Sequence, residues 1–156
     1  MEKSLTIRYH EYACDTELTP DDKQLLEKAK DATNGTYSPY SHFSVGAAVR
    51  MADGSIALGS NQENVAYPSG LCAERTAIFA ASAAHPQMRE FKAIAIVGRN
   101  SNGEWCEASP CGACRQVLQE YEQLQKHPLR VVCAMPNGRV RAFESVADLL
   151  PFSFSL

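Results

Sequence analysis

The chain has 156 residues, 45% hydrophobic and 21% charged, the composition of one ordinary globular domain with a single sizeable core. A net charge of −3 and a pI near 5.8 leave no basic footprint for nucleic acid or an anionic membrane surface. No apolar run is long enough to span a bilayer and the first residues lack the apolar centre of a secretory leader, so a cytoplasmic protein is expected.

Residues 1–18 show no clear period and are read as an N-terminal extension that packs on the domain or frays; residues 19–156 form the domain. Thr19-Pro20-Asp21-Asp22 starts a helix with an N-cap hydroxyl, a proline and first-turn acids. Leu25, Leu26, Ala29 and Ala32 continue it, and Asn34-Gly35 ends it. After an aromatic, polar loop, strands over 45–50 and 56–60 flank Ala52-Asp53-Gly54-Ser55, a hairpin signal. Their Gly and Ala content implies that a helix or another backbone packs closely there. A polar loop then leads to an Ala-rich helix over 72–84, with Ala73, Ala77, Ala80, Ala81 and Ala84 on related faces. His85-Pro86 ends it.

Residues 91–98 read as a buried strand running parallel to a neighbour, because a helix precedes it. A second long helix covers 112–125, with Val117, Leu118, Tyr121 and Leu124 on its apolar face. A second hairpin turns at Pro136-Asn137-Gly138, and a short helix over 146–150 precedes the tail. The expected fold is α/β: one three-layer α/β/α domain, a mixed sheet of five strands, and hairpins at both ends.

Six cysteines need an explanation in a reducing compartment, where clustered thiols serve metal binding or catalysis more often than disulfides. Cys133 lies in an apolar run and reads as core. Cys14 and Cys106 lack a regularly spaced partner. The other three stand at helix starts: Cys72 before one helix, and Cys111 and Cys114 at the start of the next. The macrodipole there favours thiolates, and the three-residue spacing turns both later thiols to one side. Three sulfur ligands with a fourth position left for water describe a catalytic zinc site. Structural zinc completed by Cys106, and a redox Cys111–Cys114 pair, are the competing readings. Glu74 tips the balance. It lies two residues beyond Cys72, beside the open position, where a carboxylate can take a proton from an activated water. Arg75 can donate to thiolate sulfur and offset the excess negative charge of three thiolates.

The pairing of Cys72-Ala73-Glu74 with Pro110-Cys111-Gly112-Ala113-Cys114 resembles the cytidine deaminase family, in its small homotetrameric, three-cysteine class. The zinc deaminase signature has cysteine here in its histidine slot. The resemblance covers about Tyr37 to Phe154, leaving residues 1–18 outside. It implies one Zn²⁺ per subunit and hydrolytic deamination of cytidine and 2′-deoxycytidine in pyrimidine salvage. It also implies a self-associating enzyme with no nucleic-acid or membrane partner. By the same resemblance Phe43 lines the base pocket, Asn61 and Glu63 of the Asn-x-Glu run bind the ribose 3′-hydroxyl, and the Ala73 N–H meets the base 2-carbonyl. Tyr67 reaches a neighbouring subunit's site. Phe154, or less favourably Phe152, covers the base of an adjacent subunit. An aminopyrimidine-antibiotic deaminase would share the cysteine motifs, but the Asn-x-Glu run argues for a ribose. The Asn137-Gly138 hairpin argues against polynucleotide editing, since editing relatives place a helix between their last two strands.

Overall fold

The structure, a computed structural model, describes all residues from Met1 to Leu156. Its elements run β1 (His10–Tyr12), α1 (Pro20–Ala32), β2 (Ser44–Met51), β3 (Ile56–Ser60), α2 (Ala73–Ala84), β4 (Phe91–Arg99), β5 (Trp105–Cys106), α3 (Gly112–Gln125), β6 (Arg130–Ala134) and β7 (Val140–Phe143). Short 3₁₀ turns fill several connections. The first helix starts as its residue types dictate: Thr19 Oγ1 accepts the Asp22 N–H at 3.2 Å, with Pro20 at the first helical position.

The strands form one mixed sheet in the order β1-β7-β6-β4-β2-β3, with β5 paired to the end of β4. The central β4 is antiparallel to β2 and parallel to β6, so its parallel neighbour is reached through the helix that follows it. Its side chains alternate between two cores. Ile94 and Ile96 point into a core shared with Ala77, Ile78 and Leu118 of α2 and α3. Ala93, Ala95 and Val97 point into a second core with Leu25, Leu26 and Ala29 of α1. This is the expected three-layer arrangement, and burying β4 on both faces explains its unbroken apolar run.

The sheet has seven strands rather than five. All five expected strands are present; β1 and β5 are additional. β1 pairs with β7 in the register His10↔Ala142, Glu11↔Arg141 and Tyr12↔Val140, so part of the N-terminal extension packs on the sheet. The β7 edge is therefore covered rather than closing the sheet with a hairpin. Beyond the end of β6, β5 takes up the β4 edge, pairing Cys106 with Gly98. Both strands are too short for a periodic pattern to announce them.

Helix faces also differ in detail. Leu124 is 59% exposed rather than part of the apolar face of α3. The buried stripe runs instead through Cys114, Leu118 and Glu122, at a four-residue spacing. Glu122 is tolerated there because its carboxylate accepts the Leu129 and Val146 N–H groups, at 2.7 and 2.9 Å, and the Ser145 hydroxyl at 2.6 Å. On α2, Ala80 and Ala84 are exposed, while Ala73, Ala77 and Ala81 are buried. The expected helix over 146–150 is a 3₁₀ turn at Val146–Asp148.

The close packing implied by the small residues of β2 and β3 is present on both faces. A Cβ on Gly46 would lie 2.0 Å from the Ala29 carbonyl oxygen of α1. One on Gly59 would lie 2.3 Å from Ala77 N and 2.5 Å from Ala73 O of α2. Backbone cannot yield as a flexible side chain does. Gly59→Ala is therefore expected to destabilise the fold by about 2 kcal/mol or more in urea unfolding. Gly112→Ala, at the first position of α3 with no atom within 4 Å, is expected to be neutral or to stabilise by up to about 1 kcal/mol.

Candidate active site

Two helix starts meet at the ends of the central strands. Cys72 is the N-cap of α2, and its carbonyl accepts the Arg75 and Thr76 N–H groups, each at 3.1 Å. Cys111 is the N-cap of α3 and accepts the Arg115 N–H at 2.9 Å. Cys114 follows in the first turn of α3, fully buried. The three sulfur atoms lie within 4.8 Å of one another, and Cys72 Sγ is 3.8 Å from Cys111 Sγ. Tetrahedral zinc with bonds of about 2.3 Å puts neighbouring sulfurs about 3.8 Å apart. The donor set and its spacing therefore fit a zinc ion held by Cys72, Cys111 and Cys114. Cys106 is not in the group; it sits in β5 with its thiol 3.5 Å from the Glu104 carbonyl.

The electrostatics agree with a site built for cationic charge. Cys72 is held down to about 5, first by a hydrogen bond from the Cys114 thiol and then by the Arg75 guanidinium, against the effect of burial. Cys114 is pushed above the usual thiol range, chiefly because it donates to Cys72. Arg75 Nη2 lies 3.7 Å from Cys72 Sγ, the contact expected of it, and Arg75 Nε is buried without a partner. Glu74, in the first turn of α2, is only 3% exposed. Desolvation pushes its carboxyl up to about 7, opposed by its own backbone N–H. It stands on the wall of the main cavity.

That cavity has a volume of about 640 Å³, ample for a small metabolite. Phe43, Asn61, Glu63, Tyr67, Cys72, Glu74, Arg75 and Cys111 all line it. Ala73 and Cys114 lie behind this lining, fully buried. Phe154 lies outside the chain's own cavity and is 71% exposed. Its N–H and carbonyl pair with the Gln116 side chain, at 3.2 and 3.0 Å.

Two lining residues also hold the pocket together, a duty their residue types did not reveal. The Asn61 side chain accepts the Val45 N–H at 2.8 Å and donates to the Phe43 carbonyl at 2.9 Å. Glu63 accepts the Tyr40 and Ser41 N–H groups, at 2.9 and 3.2 Å, and the Ser41 hydroxyl. The serine hydroxyl, followed by the two N–H groups, holds its carboxyl below the usual range. Tyr40 meets Tyr67 edge-on at 5.8 Å across the mouth. Tyr40, Ser41 and Glu107 were not singled out as site residues from the sequence. The aromatic, polar composition of 36–43 was the available signal for the first two; nothing marked Glu107.

A family model described as the cytidine and deoxycytidylate deaminase zinc-binding region matches residues 19–130. A cytidine deaminase of Halalkalibacterium halodurans is 39% identical over 135 residues, 86% of this chain and 95% of the relative. One from Sporosarcina psychrophila is 41% identical over 135 residues, 86% and 92% of the two chains. The crystal structure of cytidine deaminase from Burkholderia pseudomallei is 46% identical and superposes with a TM-score of 0.72, covering 84% of this chain and 97% of that one. The Mycobacterium tuberculosis cytidine deaminase structure is 36% identical, with a TM-score of 0.65 over 85% and 96%. Likeness at these identities, spanning nearly the whole of each relative, places the chain in the cytidine and deoxycytidylate deaminase family of enzymes.

Proposed function

We propose that this chain deaminates free cytidine and 2′-deoxycytidine to uridine and 2′-deoxyuridine with release of ammonia, as a cytoplasmic homotetramer in pyrimidine salvage. One observation carries the reading: the buried Glu74 carboxylate and two of the three converging thiols, Cys72 and Cys111, line a single cavity that also presents Asn61 and Glu63, with Cys114 directly behind. A zinc ion, one per subunit on Cys72, Cys111 and Cys114, would supply Lewis-acid activation of a water next to the substrate.

The remaining chemistry falls to the chain's own groups. Glu74 takes a proton from the attacking water and gives it to N3 of the pyrimidine as C4 becomes tetrahedral. It then delivers a second proton, from the new hydroxyl, to the 4-amino group. The C4–N bond breaks, ammonia leaves, and the C4 carbonyl forms. A carboxylate that is buried, and free of ion pairs in the structure, suits a group that must both accept and donate. Arg75 offsets the negative charge of the thiolates.

Asn61 and Glu63 bind the 3′-hydroxyl, the Ala73 N–H meets the base 2-carbonyl, and Phe43 packs on the base. Such remote contacts align C4 for attack. Tyr67 at the pocket mouth and the exposed Phe154 tail support completion of each site by neighbouring subunits, with Phe154 the preferred cover over Phe152.

Two measurements test the chemistry. Glu74→Ala is expected to keep stoichiometric zinc by atomic absorption while the loss of cytidine absorbance slows by about 10²- to 10⁴-fold. Cys111→Ala is expected to lose both zinc and turnover, and an active, zinc-free variant would remove the metal from the reading.

A third test addresses the pocket. Gly98 of β4 leaves room for Phe43, since a Cβ there would lie 2.7 Å from the ring's Cζ and 3.4 Å from the Ala108 Cβ. Gly98→Ala is expected to push the ring toward the base and raise KM by about tenfold, with kcat less affected. An unchanged KM would take Phe43 out of the base pocket.

A further inference from the structure

Residues 1–18 precede the span matched by the family model, yet they reach the active-site wall through a chain of charged contacts. Glu11 of β1 stands opposite Arg141 of β7. Its Oε1 accepts from Arg141 Nε at 3.1 Å and Nη2 at 2.8 Å, and its Oε2 accepts from Arg139 at 2.8 Å. The remaining side of the Arg141 guanidinium donates from Nη1 to Glu107 Oε1 at 3.1 Å. Arg141 also lies over the Tyr9 ring, 5.4 Å from its centroid, and Tyr9 packs against Phe143 at 5.7 Å. Glu107 lines the main cavity with Ala108, Ser109 and Cys111.

We propose that Glu11 and Arg141 are positioning residues for this wall: the N-terminal strand fixes the Arg141 guanidinium, and Arg141 fixes Glu107 at the pocket rim. The inner part of the segment has its own tethers. The Ala108 N–H donates to the Ala134 carbonyl at 3.1 Å, and Arg115 Nε donates to the Pro110 carbonyl at 2.8 Å. The Glu107 side chain has only Arg141.

Isolated exposed ion pairs contribute little, because water screens them and two long side chains must be ordered. The arrangement here differs because all three nitrogens of one guanidinium donate hydrogen bonds and one face lies over an aromatic ring. Planar, multidentate fixation of this kind fixes direction more than it adds stability. The backbone pairing of β1 with β7 makes the ordering of Glu11 part of the fold rather than an added cost.

The proposal rests on the deaminase reading only for its kinetic readout, so the test has two arms on the full-length chain. In the first, hydrogen exchange of peptides spanning 104–111 is expected to be about threefold faster or more in Glu11→Gln than in the wild type. In the second, Glu11→Gln and Glu107→Gln are each expected to raise KM for cytidine about threefold with kcat within about twofold. The double variant should be no worse than Glu107→Gln alone, because both act through Arg141.

Unchanged exchange overturns the proposal. Faster exchange with unchanged KM overturns it as well, as does an additive double variant. A wild type without cytidine turnover refutes the deaminase reading instead and leaves the exchange measurement to decide the role of Glu11.

Discussion

The α2 backbone touches β3 so closely at Gly59 that no side chain fits between them, and the active site depends on that contact. A helix pressed onto a strand has its axis and depth fixed by main-chain atoms, which do not change rotamer. Thr76 adds a tie from the same turn, its hydroxyl donating to the Ser60 carbonyl at 2.9 Å. The N-cap of α2 is therefore placed with backbone precision, and Cys72 occupies that N-cap. The Cys72–Cys111 spacing could not be held near 3.8 Å by flexible side chains alone. It follows from two helix starts docked on one sheet face.

Burying negative charge at this junction needs compensation, and the fold supplies it from several directions. The N-terminal ends of α2 and α3 bring partial positive charge to the thiols. Arg75 adds a formal cation within reach of Cys72. Glu74 receives less relief: it is nearly fully buried beside the Cys72 thiol, and its own backbone N–H, Cys114 and Arg75 only partly offset the desolvation. The same short segment thus holds a thiol pulled down and a carboxyl pushed up. The difference comes from placement. Cys72 accepts hydrogen bonds from Cys114 and the guanidinium, whereas burial outweighs the favourable contacts of Glu74.

Much of this was legible in the sequence because the signals were local and chemically specific. The capping pattern at Thr19-Pro20 marks a helix start wherever it occurs. The long apolar run of β4 announces a strand covered on both faces. The cysteine spacings and Glu74 mark a candidate metal site, and the fold brings Cys72, Cys111 and Cys114 together, with Cys72, Cys111 and Glu74 on one cavity. The illegible parts are those where partners far apart in sequence decide the outcome. β1 has three residues of mixed polarity and is a strand through its backbone pairing with β7, where Glu11 meets Arg141, 130 residues later. Glu122 is a charged helix residue with no signal of its own, yet it is buried because two N–H groups and a hydroxyl from beyond α3 satisfy it. Leu124 is left outside by the same rotation of the helix.

The pocket residues carry the argument one step further. The family resemblance offers Asn61 and Glu63 as sugar ligands, and both also hold main-chain groups of the neighbouring loop. A side chain with backbone partners cannot swing freely, so its remaining lone pairs and N–H bonds point in set directions before any substrate arrives. Preorganisation of this kind lowers the ordering cost at binding. It also ties the Phe43 backbone to the start of β2, since one Asn61 amide group serves both. Elsewhere on the cavity wall Arg141 holds Glu107 while Arg115 and Ala134 hold the segment beyond it. The cavity is thus fixed by contacts outside the thiol cluster, and the cluster itself is fixed by the helix starts beneath it.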